Sequence, residues 1–276
     1  MPGIVKLASV KFCLLLLLLP LFASAGIRVG PGTGVPAWSM PMRTNGDTGI
    51  QSASSGSLQR IALVASGLGV GYGLWSLDKR SVPGKWDAAV RADVLEDAPN
   101  FRTHIDNYMP FVPAAAVLSL QVAGVPGRDP MLPAIGLYGL SGVLAAGAVY
   151  GLKAWTHELR PDGSTYNSFP SGHTAAAFAS AAWLDKEYGR RYPWAALGGY
   201  LLAGGTGALR IYNNRHWLGD VIAGAAFGYL SVQASYAVYP WIEKHILDKH
   251  PKTRVWLDNF PNRTTFSSPN QKDPAP

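Results

Sequence analysis

LPAIGLYGLSGVLAAGAVYGLKAWTHELRP, residues 132–161, joins two kinds of sequence. Residues 132–152 carry no charge and are long enough, as a helix, to cross a bilayer core of about 30 Å. The remainder opens on Lys153 and closes on Arg160 and Pro161. An apolar helix that ends this way delivers its cations to one end of a helical bundle. Further apolar stretches lie at 61–77, 108–125, 171–184, 194–209 and 217–241, with a turn at 127–130. We therefore expect an all-α helical bundle, membrane-embedded, with about five or six apolar helices.

Composition agrees. Hydrophobic residues make up 48% and charged residues only 15% of the 276, against about 25% charged in an average soluble domain. Residues 1–25 read as a secretory signal: Lys6 and Lys11 are the basic region, 12–22 the apolar stretch and 23–25 the small-residue cleavage pattern. Cleavage would remove Cys13, the only cysteine, so the mature chain would have no disulfide, catalytic thiolate or thiolate metal ligand. Net charge would fall from +7 to +5. A basic balance suits anionic lipid and phosphate; no basic stripe or recognition module indicates nucleic acid. Residues 26–57, rich in Gly, Ser, Pro and Thr, read as a flexible linker, 58–241 as the helical domain and 242–276 as a polar tail.

Gly67, Gly69, Gly71 and Gly73 lie within an apolar run without a strand–turn–helix unit, so a helix packing surface is a better reading than a nucleotide loop. Gly147-x-x-x-Gly151 and Gly224-x-x-x-Gly228 permit close helix contact. Residues 81–107 are mixed in charge and read as an amphipathic segment outside the lipid.

Chemistry concentrates in three stretches: Lys153 to Pro161, Pro170-Ser171-Gly172-His173, and Arg210 to Asp220. Phosphoryl transfer is catalysed mainly by positioning and fixed positive charge. Lys153 supplies a point charge; Arg160 and Arg210 supply forked donors. Taken singly, each cation is as well explained as a helix end near a membrane. Ser171 and Gly172 open a helix, where free N–H groups attract phosphate; a plain helix cap is the alternative. His173 beside such a site can give or take a proton. His216 and Asp220, four apart, share one helix face. The carboxylate can accept the Nδ1 proton and leave Nε2 to attack phosphorus; an interfacial capping pair is the alternative. A metal held by His173, His216 and Asp220 lacks ligand spacing, and the nearby cations disfavour it.

These stretches resemble the type 2 phosphatidic acid phosphatase superfamily, which includes bacterial acid phosphatases and vanadium haloperoxidases. The family pattern is Lys, six residues, Arg-Pro; Pro-Ser-Gly-His; then Ser-Arg, five residues, His, three residues, Asp. Every spacing is met, over about residues 105–235, and Leu209 replaces the usual Ser. The resemblance implies a phosphatase with His216 as nucleophile, Asp220 as its orienting acid and His173 as proton donor. It implies Lys153, Arg160, Ser171, Gly172 and Arg210 as phosphate ligands, and neither metal nor other cofactor. His157 and Glu158 match no fixed family position and read as surface or supporting residues. Asn213, Asn214, Arg215 and Trp217 read as shaping the mouth of the site.

The expected substrate is a lipid phosphate or diphosphate at a membrane of the bacterial cell envelope, with no obligatory protein partner. Lys186, Arg190 and Arg191 lie at the end opposite the motifs, which by charge faces the cytoplasm. The motifs then face the periplasm, and counting crossings from a cleaved signal requires 61–77 to pack on the bundle or lie at the interface rather than span simply. A soluble periplasmic acid phosphatase, a vanadium haloperoxidase and a non-catalytic membrane protein are the alternatives.

Overall fold

The computed structural model describes residues 51–242, 244 and 245. The expected signal, most of the linker and nearly all of the polar tail lie outside the described residues. Within them the chain is helical, with no strand. Seven α-helices are α1 (Gln51–Ser76), α2 (Val82–Asp97), α3 (Val112–Val122), α4 (Met131–Thr156), α5 (Gly172–Leu184), α6 (Pro193–Tyr212) and α7 (Leu218–Ile242). α1 begins inside the stretch read as linker.

Local signals explain the boundaries. Ser81 Oγ accepts from Gly84 N at 3.0 Å to cap α2, and Pro83 occupies its first turn. The apolar stretch at 108–125 yields a helix of only 11 residues. Two 3₁₀ turns, Ile105–Asn107 and Met109–Phe111, replace its expected start, where Pro110 and Pro113 deny backbone donors. α5 runs into one π turn, Asp185–Gly189, before the chain reverses. By length and composition, α4 and α7 are long and apolar enough to cross a membrane.

α7 is the central helix, packed against α1, α4, α5 and α6. Small residues set the distances. A Cβ on Gly228 would lie 2.1 Å from Ala175 O, and one on Gly224 would lie 2.5 Å from Ser171 O. The α5–α7 crossing therefore brings backbone against backbone. Gly73 meets α7 in the same way, 2.6 Å from Ala223 Cβ, and Gly69 lies at ordinary contact with Ala226 and Ile222. Every second member of the α1 glycine series thus makes the expected packing surface. Gly147 and Gly151 differ: among the described residues nothing lies within 4 Å of a Cβ at either. That side of α4 is not a helix contact.

The core fills the gaps with large side chains. Trp183 stacks on Tyr138 at 4.3 Å, and Tyr138 and Ser180 hydroxyls meet at 2.6 Å. Outward faces stay apolar: Ile61, Val64, Leu68 and Trp75 of α1, and Val143, Tyr150 and Trp155 of α4, are exposed. The end after α3 and α5 carries Arg128, Lys186, Arg190 and Arg191. The other end gathers the C-termini of α1, α4 and α6 and the N-termini of α5 and α7.

Gly228→Ala is expected to destabilise the bundle by about 3 kcal/mol or more, because backbone has no room to yield. Gly147→Ala should be neutral or stabilise by up to about 1 kcal/mol through helix propensity. Thermal unfolding of both variants in detergent checks the contrast.

Candidate active site

The connection between α4 and α5 folds back on itself. His157, in the left-handed region at φ 46°, ends α4. Arg160 N donates to Thr165 O at 3.0 Å, and Ser168 N to Glu158 O at 2.9 Å. Lys153 Nζ donates to Asn167 O, and to Ser168 O at 3.1 Å. One cation of the first motif thereby fastens the loop that leads to the second. Ser171 caps α5: its hydroxyl accepts from Thr174 N at 3.4 Å and lies 2.8 Å from Thr174 Oγ1. Fully buried, that hydroxyl serves the cap in this arrangement. At Gly172 a Cβ would meet only Val149, at 3.7 Å, so packing among the described residues does not demand glycine there. Its smallness leaves the helix start open to a ligand.

Asp220, in the first turn of α7, is 1% exposed and His216 is 2% exposed. Asp220 Oδ2 lies 3.2 Å from His216 Nδ1 and accepts from Trp217 N at 2.9 Å and Ser168 Oγ at 2.5 Å. A proton on Nδ1 completes this set and leaves Nε2 with a free lone pair. Burial, then the charges of Lys153, Arg210, Arg160 and His173, hold the imidazole well below the usual histidine range. His216 is therefore neutral at pH 7, as a nucleophile must be. The charges that hold it so come from all three motifs: Lys153 and Arg160, His173, and Arg210.

Arg210 is nearly buried, and its partner comes from outside the motifs. Nη1 donates to Asp106 Oδ2 at 2.8 Å, and Asn213 Nδ2 donates to the same oxygen at 3.0 Å. Asn213 also bonds Thr103 through N–H and C=O. Arg210 Nε is buried with no protein acceptor, as is Arg160 Nε. Both guanidinium groups thus keep a donor available for an anion. Asn107 Oδ1 stands 3.1 Å from His173 Nε2. Residues 103–107, read from sequence as part of an amphipathic segment, instead bring a buried carboxylate and an amide to two motif residues. The available signal was an acid immediately before an apolar stretch, where an unpaired charge is costly. Of the residues expected at the mouth, Asn213 is buried in this network. Asn214 Oδ1 accepts from Arg91 Nε at 3.0 Å, Arg215 pairs with Asp162 at 2.9 Å, and Trp217 Nε1 donates to Leu159 O.

Comparison with known proteins bears on this geometry. Residues 134–244 match the family model of the PAP2 superfamily. Those residues form a PAP2 superfamily domain. It contains Lys153, Arg160, Ser171, Gly172, His173, Arg210, His216 and Asp220, but not Asp106 or Asn107. A lipid A 1-phosphatase of Porphyromonas gingivalis is 43% identical over 156 residues, which cover 54% of this chain and 34% of that protein. The chain thus spans about a third of the length of the curated relative it matches. No solved structure matches it.

Asp106→Ala should cost about 3–5 kcal/mol, since it strands the buried Arg210 charge. Asp106→Asn keeps the shape and should cost less. Denaturation midpoints of the two variants, measured side by side, check the assignment.

Proposed function

We propose that this chain is a phosphatase that removes phosphate from a lipid phosphomonoester or diphosphate through a phosphohistidine intermediate on His216. The observation that carries the reading is the buried His216–Asp220 pair, 3.2 Å apart, beneath Lys153, Arg160 and Arg210. His216 Nε2 attacks phosphorus as the bond to the leaving oxygen breaks. His173 gives its proton to that oxygen. Asp220 holds the Nδ1 proton and stabilises the positive ring that results. A water then attacks the phosphorus, His173 takes its proton, and the N–P bond breaks to release phosphate. Lys153, Arg160, Arg210 and the N–H groups opening α5 face the phosphoryl oxygens, with Ser171 and Gly172 shaping that helix start.

Three observations support a lipid substrate. The relative is named for a phosphate on lipid A. α4 is long and apolar enough to cross a membrane, yet most of its apolar stretch is not buried against the rest of the chain. Tyr150, Trp155, Trp75 and Trp86 are exposed on helices that end or begin at the site, as in an interfacial aromatic belt. The basic residues at the other end favour the cytoplasm, so we place the site on the periplasmic face of a bacterial envelope membrane. The catalytic domain corresponds to about residues 58–241, behind a signal at 1–25. No metal enters the mechanism, because fixed cations already neutralise the phosphate.

Phosphate release should be measured from phosphatidylglycerophosphate, polyprenyl diphosphate and lipid A in detergent, with EDTA present. His216→Ala should lose at least about 10⁴-fold. His173→Ala should lose about 10²–10⁴-fold with an alkyl phosphate and much less with an activated aryl phosphate. Rapid quenching in base should trap phosphate on His216. Strict dependence on a divalent ion with no trapped phosphohistidine would reject the mechanism; turnover of small soluble esters alone would favour a soluble acid phosphatase.

A further inference from the structure

Behind the His216–Asp220 pair lies a second set of charges. Glu158 follows α4, Lys79 lies between α1 and α2, and Asp87 is in α2. Lys79 Nζ donates to Glu158 Oε1 at 2.5 Å and to Asp87 Oδ2 at 3.3 Å. Asp87 Oδ1 accepts from Gly219 N at 2.9 Å, beside Asp220 in the first turn of α7. The side chains of Asp87, Glu158 and Asp220 are 0%, 9% and 1% exposed. Lys79 and Asp87 precede the matched family residues.

Both Asp87 oxygens have donors, but Asp220 and Glu158 each leave one oxygen without. Asp220 Oδ2 has three donors, while Asp220 Oδ1 is buried with none. Glu158 Oε1 has Lys79, while Glu158 Oε2 is buried with none. Glu158 and Asp220 are neighbours that act on each other through their side chains as well as through charge. As two carboxylates they repel, and neither can donate. With one proton between them, both orphan oxygens are satisfied at once.

The geometry points to Glu158 as a positioning residue, protonated in the resting protein, whose Oε2–H donates to Asp220 Oδ1. Neutral Glu158 still accepts from Lys79 through Oε1. Asp220 is then bonded through both oxygens, and its carboxylate plane is fixed against His216. Burial, then the neighbouring Asp220 charge, push the Glu158 carboxyl up to about 8, against the pull of Lys79. The charged groups facing it are Lys79 and, beyond it, Asp87 from the N-terminal helices, Lys153 from α4 and Asp220 from α7. Above about pH 8 the Glu158 proton is lost, and a second full negative charge appears beside Asp220. The orienting bond is then broken.

This inference rests on the phosphatase reading for its kinetic test and has a second test that does not. In kcat/KM profiles with a lipid phosphate, the wild-type chain should lose activity as pH rises through about 8. Glu158→Gln donates the same hydrogen bond and cannot ionise. It should keep activity at pH 6 within about 3-fold and lose this alkaline limb. Glu158→Ala, leaving Asp220 Oδ1 bare, should fall more than about 10-fold at pH 6. An unchanged alkaline limb in Glu158→Gln would overturn the proposal. Independently, infrared difference spectra between pH 6 and pH 10 should show protonated-carboxyl C=O intensity from Glu158. It adds to that from Asp87 and Glu187, which burial also raises to about 7. Glu158→Gln should lose the Glu158 component that titrates near pH 8. Equal intensity in both proteins would also overturn it. No phosphatase activity in a wild-type chain that shows the Glu158 component would reject the function and leave the shared proton standing.

Discussion

One buried carboxylate organises the catalytic end of this bundle. Asp220 sits in the first turn of α7 at 1% exposure, where an unsatisfied charge would be too costly to keep. Its donors come from separate pieces of chain. Ser168 belongs to the α4–α5 connection; His216 and Trp217 belong to the α6–α7 turn. Its own backbone carbonyl accepts from Ser171 N at 3.0 Å, which ties in the start of α5. The need to satisfy one acid therefore places the imidazole, the helix cap and the loop carrying Arg160. Close α5–α7 packing makes this possible: Gly224 and Gly228 let the two helix starts converge until Ser171 reaches Asp220.

Charge around that acid is arranged in two layers. Toward His216, burial and then the charges of Lys153, Arg210, Arg160 and His173 hold the ring neutral. On the closed side, Asp87, Glu158 and Lys79 interlock. A histidine surrounded by cations is poorly protonated, and a poorly protonated histidine has a lone pair to give. Those cations also favour an incoming anion. Under the proposed mechanism, the field that attracts phosphate also helps burial to keep His216 Nε2 free.

Much of this was legible in the chain. The helix order, the three-stretch constellation and the His216–Asp220 spacing follow from apolar runs and from residue types at fixed intervals. Spacing did not separate Gly69 and Gly73, which touch α7, from Gly67 and Gly71: it marked all four α1 glycines alike, and only three-dimensional register decides which face is used. The same limit applied to Gly147 and Gly151, whose small-residue pattern meets nothing within 4 Å among the described residues. Asp106 was legible as an acid in need of a partner, but which partner was not, for a related reason. Its partner Arg210 lies over a hundred positions away, and no local periodicity signals a long-range ion pair. Ser171 read equally as cap or ligand, and in this arrangement its hydroxyl caps. Glu158 stood inside a motif without matching it; its significance depends on Lys79 and Asp220, which sequence distance separates from it.

The functional unit is consequently larger than the matched domain. Residues 134–244 hold the charged groups that, with burial, keep the imidazole neutral: Lys153, Arg210, Arg160 and His173. Yet Arg210 is neutralised by Asp106, His173 is met by Asn107, and the closed side is completed by Lys79 and Asp87. All four precede residue 134. An Arg210 without Asp106 would be a buried cation with no counter-charge, and a Glu158 without Lys79 would lose the donor on Oε1. α1 and α2 are held to α7 partly by Gly73 against Ala223 and Asp87 against Gly219. The helices that appear peripheral by family resemblance therefore close the back of the site. The residues before the motifs thus supply partners and counter-charges that the matched stretch lacks.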